Sequence, residues 1–329
     1  MEERPHDLKY IYYFGVFLLT YYLNRVVYRL DKIFDDSKVF YKFDPEIPPI
    51  GRVLPGERTR IRTRDCFSNQ LVDENQQLSS IDFSQVNPAT GPLYIEGTEK
   101  GDALVVHILK IITASSGLVV SLPGEGFLGE DVKTSKNRRC LVRDNFVEIA
   151  GVKLPYRPMI GVIGVASSDK HPTGVPGRSG GNLDTKYITE GATLYLPVEY
   201  SGALFGVGDL HAAMADGEVC VSGCEVRGEV ELEFSVLKGL APAWPVVEYG
   251  NTNYIIVSAG TLEESLKEAA RTTVEALSKA FSIDWNDAYM LSSLVADFQI
   301  SQLVDPKKTV RVGIPSSVIR AEDLLKAMR

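Results

Sequence analysis

Across residues 39–236, short apolar runs are interrupted at close intervals by Gly, Pro, Asn and Asp, the texture of strands joined by turns. Arg58-Thr59-Arg60-Ile61-Arg62-Thr63, Ala103-Leu104-Val105-Val106-His107-Ile108-Leu109 and Ala192-Thr193-Leu194-Tyr195-Leu196-Pro197-Val198 read as strands. Val226-Arg227-Gly228-Glu229-Val230-Glu231-Leu232-Glu233-Phe234 carries charges at alternate positions and reads as a strand with one wet face. No long helical period interrupts this stretch. Many short strands of this kind predict a sandwich- or barrel-like β body.

The pattern changes after Gly260. Thr261 is placed to cap a helix, with Glu263 and Glu264 in the first turn, where the helix dipole favours negative charge. Leu262, Leu266, Ala269, Ala270, Thr273, Val274 and Leu277 then recur at helical spacing. Asp284 predicts the cap of a second helix running from Trp285 to Phe298. Asp305-Pro306 ends whatever follows, and residues 309–315 read as a returning strand. The expected class is α+β, predominantly β, with a helical pair near the C-terminus.

The N-terminus follows neither pattern. Residues 10–24, YIYYFGVFLLTYYLN, are uncharged and are followed by Arg25 and Arg29. The run is shorter than the ~20 residues of a spanning helix, and it lacks the small-residue cleavage site of a signal peptide. A short membrane anchor, an interfacial helix and an extension from a misplaced start codon all fit. Residues 1–36 are therefore set apart from a domain expected to begin at Ser37 and to run to residue 329.

Composition narrows the function. The chain has 329 residues with 44% apolar and 24% charged positions, a globular profile long enough for one large domain. Lys+Arg 35 against Asp+Glu 43 gives a net charge of -8, which argues against a nucleic-acid binder. Cys66, Cys140, Cys220 and Cys224 lack paired CxxC spacing and read as reduced thiols of a cytoplasmic protein. Cys220, two residues beyond Glu218, is a conceivable nucleophile without any sign of activation. Membrane contact is expected only through residues 10–24.

One segment concentrates the chemistry. Gly206-Val207-Gly208-Asp209-Leu210-His211-Ala212-Ala213-Met214-Ala215-Asp216-Gly217-Glu218 holds three carboxylates and one of only four histidines within ten positions. Carboxylate oxygen and imidazole nitrogen are ligands that zinc and similar divalent ions accept. Asp209 and His211 are two apart, so an extended segment points both to one side. Against this stand blander readings: Asp209 and Asp216 flank glycines, where Asp often shapes a turn, and a single histidine is commonly structural. The loop Gly124-Glu125-Gly126-Phe127-Leu128-Gly129 lacks the lysine and spacing of a phosphate cradle.

An ordered set of segments resembles the acetamidase/formamidase family. It comprises Phe43-Asp44-Pro45-Glu46-Ile47-Pro48-Pro49 and the Pro55-Gly56-Glu57 turn, then Asn87-Pro88-Ala89-Thr90-Gly91-Pro92-Leu93-Tyr94-Ile95-Glu96-Gly97 and Lys100-Gly101-Asp102. Gly180-Gly181-Asn182-Leu183-Asp184-Thr185-Lys186 and Gly191-Ala192-Thr193-Leu194-Tyr195-Leu196-Pro197-Val198 follow, then Gly208-Asp209-Leu210-His211-Ala212 and Asp216-Gly217-Glu218. Asp287-Ala288-Tyr289-Met290-Leu291-Ser292-Ser293 and Asp297-Phe298-Gln299-Ile300-Ser301-Gln302 close the set. The resemblance spans residues 39–315 and leaves the N-terminal extension outside it. Met214 and Ala215 stand where the pattern carries a small or polar residue and a glycine. The resemblance implies hydrolysis of small linear amides such as formamide or acetamide, with release of ammonia. It also implies a β-rich sandwich-like body with appended helices and a homo-oligomer. The rival readings are a non-catalytic small-molecule or metal-binding protein on this fold, and a hydrolase of another C–N bond.

Amide hydrolysis needs an activated water, a polarised carbonyl and a proton for the leaving amine, and a metal supplies the first two. The expected ligands are Asp184, Asp209, His211 and Glu218, with Asp65 or Glu96 as further candidates and zinc, manganese or calcium as the ion, zinc first. A catalytic zinc takes three protein ligands, so one carboxylate is left over as general base or as an orienting partner of His211. Glu218 is the first choice for base or ligand. Asp216 and Lys186 are further catalytic candidates, Lys186 either facing an oxyanion or pairing with a carboxylate. Asn182 accompanies Asp184. His171 lies in the loop His171-Pro172-Thr173-Gly174-Val175-Pro176-Gly177-Arg178, which could cover the site. His107 alternates with apolar residues and reads as structural.

Overall fold

The computed structural model describes residues 32–329, so the apolar run 10–24 lies outside the described residues. Two open sheets form the β body among these residues, one of nine strands and one of eleven, and neither closes into a barrel. The first sheet begins with Lys32–Phe34, ahead of Ser37, paired in parallel with Arg58–Thr63. It continues through Gly228–Leu237, Ala103–Thr113, Thr193–Pro197, Val246–Tyr249, Thr252–Ala259 and Lys308–Pro315 to the edge strand Asp297–Gln302. The second sheet is centred on Phe205–His211, which pairs with Met159–Gly164, Glu225–Val226 and Ala89–Ile95.

Period-two patterning explains how the layers stack. Val230, Leu232 and Phe234 of Gly228–Leu237 are buried. The glutamates between them face the other way, where Glu229 pairs with Arg62 at 3.3 Å and Glu231 with Arg60 at 3.2 Å. The main core lies between the sheets, joining Leu104, Val106 and Phe234 of one to Ile160, Phe205 and Val207 of the other. Alternate residues of the same strands, such as Val105, Ile255 and Val257, point to the opposite face. There they bury against α1 (Leu262–Phe281), α2 (Trp285–Val295) and α3 (Ala321–Ala327). Burying Val274 and Leu277 on the inner stripe of α1 contributes on the order of 1.5–3 kcal/mol each.

The helix ends follow the sequence at one point and depart from it at another. Thr261 and Glu264 form a reciprocal capping box at the start of α1. The Asp284 side chain caps α2 by accepting from the Asp287 N–H at 3.0 Å. However, α2 stops at Val295, and Phe298 lies in the edge strand instead. The alternating Asp297-Phe298-Gln299-Ile300 pairs with Lys308–Pro315, and that ladder prevails over continuation of the helix. No helix among the described residues is long and apolar enough to cross a membrane.

Candidate active site

Asp209 and His211 project from one face of Phe205–His211, as their spacing predicts. Glu225 sits directly opposite His211 on the neighbouring strand, so the pair shares that face. Asp184 follows Gly180–Asn182 at the sheet edge. Glu218 is delivered by the segment after His211. That segment is tied to the first sheet by the Gly217 N–H donating to the Ser301 carbonyl at 2.8 Å and the Leu303 N–H donating to the Gly217 carbonyl at 3.1 Å.

Four carboxylates converge on one imidazole. His211 Nε2 lies 3.2 Å from Glu225 Oε2, 3.4 Å from Asp209 Oδ1, 3.8 Å from Glu218 Oε1 and 3.9 Å from Asp184 Oδ1, and each side chain is 4% exposed or less. Two glycines leave room for them. A Cβ at Gly161 would lie 2.5 Å from Asp209 Oδ2 and 2.6 Å from Asp184 Oδ1, and one at Gly223 would lie 2.6 Å from His211 Nδ1.

The electrostatics are lopsided. No lysine or arginine pairs with Asp184, Asp209, Glu218 or Glu225 among the described residues. Both oxygens of Asp184, Asp209 Oδ1 and Glu225 Oε2 are buried without a hydrogen-bond partner. Burial pushes Asp184 and Glu218 well above the usual carboxylate range, and pushes Glu225 up to about 7. Burial alone would lower the His211 pKa, but the carboxylates of Glu225 and Asp209 raise it.

Two groupings have the reach to hold a cation. Asp184, His211 and Glu218 each offer a ligand atom within 4.8 Å of the others, and so do Cys66, Asp209 and Glu225. A cavity of about 450 Å³ opens over them, lined also by Asn182 and Asp305. Asn182 Nδ2 donates to Asp305 Oδ1 at 3.3 Å.

The remaining expected residues are placed elsewhere. Asp216 Oδ2 accepts from Lys186 Nζ and from Arg311 Nη2, each at 2.7 Å. Burial works against its charge, yet those two cations hold its carboxyl below the usual range. Arg311 is fully buried, so Asp216 and Lys186 complete an ion triad. Glu96 pairs with Arg52 at 2.9 Å near the surface. Asp65 Oδ1 accepts from the Phe67 and Asn69 N–H groups at 3.0 and 2.8 Å, a turn-forming role, and burial raises it to about 6. His171 packs on Phe43 and makes a 2.8 Å hydrogen bond to Ser179 Oγ. His107 bonds Thr193 Oγ1 at 3.1 Å across to the neighbouring strand. Cys220 lines a second cavity of about 370 Å³, which shares only Glu218 and Ser222 with the first.

Sequence reasoning missed Glu225, Asp305 and Cys66. Glu225 lies between Cys224 and Val226 in a two-residue strand, and only its pairing with the His211 strand brings it to the site. Asp305 was read only as a terminator before Pro306.

Fold and site together define a class: a β-sandwich protein with a buried carboxylate–imidazole centre at the foot of a solvent-reachable cavity. Residues 29–174 and 171–321 match the Acetamidase/Formamidase family, and the chain belongs to that family. An acetamidase from Bacillus halodurans is 39% identical, with a TM-score of 0.84 over 87% of this chain and 97% of that one. A predicted acetamidase/formamidase from Thermoanaerobacter tengcongensis is 38% identical, with a TM-score of 0.86 over 90% and 99%. The acetamidase of Mycolicibacterium smegmatis is 24% identical, covering 69% of this chain and 71% of its own.

Proposed function

We propose that the protein is a metal-dependent amidohydrolase that cleaves a linear amide with water, giving a carboxylate and ammonia. Family membership supports the amide hydrolysis. The metal dependence rests on one observation, the four carboxylates that surround one histidine with no lysine or arginine partner among the described residues. Even with a protonated imidazole the cluster would carry excess negative charge. Each buried, unpaired ion costs several kcal/mol, so a divalent cation is the simplest counter-charge. The orphaned oxygens of Asp184 and Asp209 are what such an ion would engage. Asp184, His211 and Glu218 would hold it, within the three protein ligands of a catalytic site.

A divalent cation there would lower the pKa of water and polarise a carbonyl oxygen. Glu225, with Oε2 3.2 Å from His211 Nε2, lies outside that ligand set and would take a proton from the attacking water. It would pass that proton to the departing nitrogen. Gly161 and Gly223 keep space for the charged side chains. The Asp216–Arg311–Lys186 triad fixes the segment that carries Glu218.

The test is metal content together with ammonia release from formamide and acetamide, with and without chelator. Metal near one equivalent and chelator-sensitive release are expected. Turnover by metal-free protein would overturn the metal role, and bound metal without turnover would move the chain to a binding role. We further propose a homo-oligomer. In support, α2 exposes Trp285, Tyr289, Met290 and Leu294 beside Phe298 on the sheet's edge strand.

A further inference from the structure

We infer that the cavity over the carboxylate centre is an acyl pocket, so that the preferred substrate is a primary amide with a branched or aromatic acyl group. This rests on the amide hydrolysis proposed above and names its substrate class. The cavity measures about 450 Å³, whereas a water molecule in the liquid takes up about 30 Å³. Pockets of ~300–1,000 Å³ enclose far larger ligands than acetamide. A substrate with a single methyl group would leave most of this space to water.

The wall selects what fills it. Phe67, Val120, Leu122 and Val221 line the cavity and belong to one apolar cluster, so they are held by packing rather than free to collapse inward. Phe83 also lines it and is 52% exposed. Filling the space with hydrocarbon would dry these surfaces, whereas formamide would not.

The polar groups orient the amide. Asn182 Oδ1 and Asp305 Oδ2 are buried, lack hydrogen-bond partners, and belong to residues lining the same cavity. Burial pushes the Asp305 carboxyl up; ionised beside a cation, it and Asn182 Oδ1 would both be acceptors, and an unsubstituted amide nitrogen carries two donors to match them. An N-alkyl amide would leave one acceptor unpaired. The –NH2 end therefore goes to Asn182 and Asp305, and the acyl group goes to the apolar wall.

The experiment compares kcat/KM of the metal-loaded full chain for formamide, acetamide, butyramide, isovaleramide, phenylacetamide and N-methylphenylacetamide. Each added methylene should raise kcat/KM by roughly fourfold while the wall can receive it. Phenylacetamide should exceed acetamide by about a hundredfold or more, and the N-methyl compound should be turned over far more slowly. Leu122→Asn and Phe83→Asn should each cut the phenylacetamide-to-acetamide ratio about tenfold. A profile that peaks at formamide or acetamide overturns the inference, as does an unchanged ratio in both variants. If no amide is hydrolysed, the activity proposed above fails, and titration calorimetry decides this point separately. Tighter binding of phenylacetamide than of acetamide then upholds the acyl pocket, and equal or absent binding sinks it.

Discussion

Replacing Gly161 by alanine should disable the centre while leaving the sheet in place. Gly161 lies in the fully buried strand Met159–Gly164, and its added methyl would meet Asp209 Oδ2 at 2.5 Å and Asp184 Oδ1 at 2.6 Å. Ordinary contact begins at 3.4 Å, so both carboxylates must retreat by about 0.8–0.9 Å. Ligand positions at a metal are set to within about 0.2 Å, so the displacement is several times what coordination tolerates. Overpacking of this kind costs about 1–3 kcal/mol, equivalent to a Tm loss of roughly 2–12 °C. The expected outcome is folded protein by circular dichroism, with metal content by mass spectrometry and amide turnover both reduced at least tenfold. Wild-type metal content and turnover in Gly161→Ala would refute the placement of Asp184 and Asp209 around a common ion.

Three further outcomes follow from the same geometry. Glu225→Gln should keep its metal and lose about 10²- to 10⁴-fold in kcat, whereas retained kcat would remove Glu225 from proton transfer. In metal-free protein, carboxyls with raised folded-state pKa values favour the folded state below the unfolded value. That stability should fade as pH rises from the ordinary glutamate value of 4.5 through the Glu225 value of about 7. Metal binding displaces those protons, so the Tm gap between metal-loaded and chelated protein should widen from pH 5 to 8; a constant gap in differential scanning fluorimetry would exclude this linkage. Leu294→Glu, on the most exposed large apolar side chain of α2 at 82%, should lower the mass measured by light scattering if that face joins two copies. An unchanged oligomer would locate the interface elsewhere.

What the sequence made legible depended on distance along the chain. Alternation in Gly228–Leu237 and the helical stripe before Leu277 are local signals, and the strands, the capping box and the inner faces followed from them. Asp209 and His211 were legible because two residues on one strand share a face. Glu225 was not, because its approach to His211 depends on the register between two strands. Asp305 is farther still, joined to the site through Asn182 across 123 residues. The end of α2 was misread for a related reason, since the pairing that draws Phe298 into a strand comes from Lys308–Pro315.

Backbone conformation sets three of the clustered carboxylates apart from the structural ones. Asp184, Asp209 and Glu218 all lie in the left-handed region, with φ of 37°, 52° and 44°, a conformation that costs a non-glycine residue about 1–3 kcal/mol. Asp65 lies outside that region and has a turn-forming role, its Oδ1 accepting from the Phe67 and Asn69 N–H groups. Asp184 accepts none on either oxygen. Asp216, the other turn candidate, is neutralised by Arg311 and Lys186. Strain that is neither relieved locally nor neutralised by a basic side chain is sustained by the surrounding sheets, and it aims three carboxylates at one point beside His211. Turn formation does not account for that arrangement, whereas the cation site proposed above would.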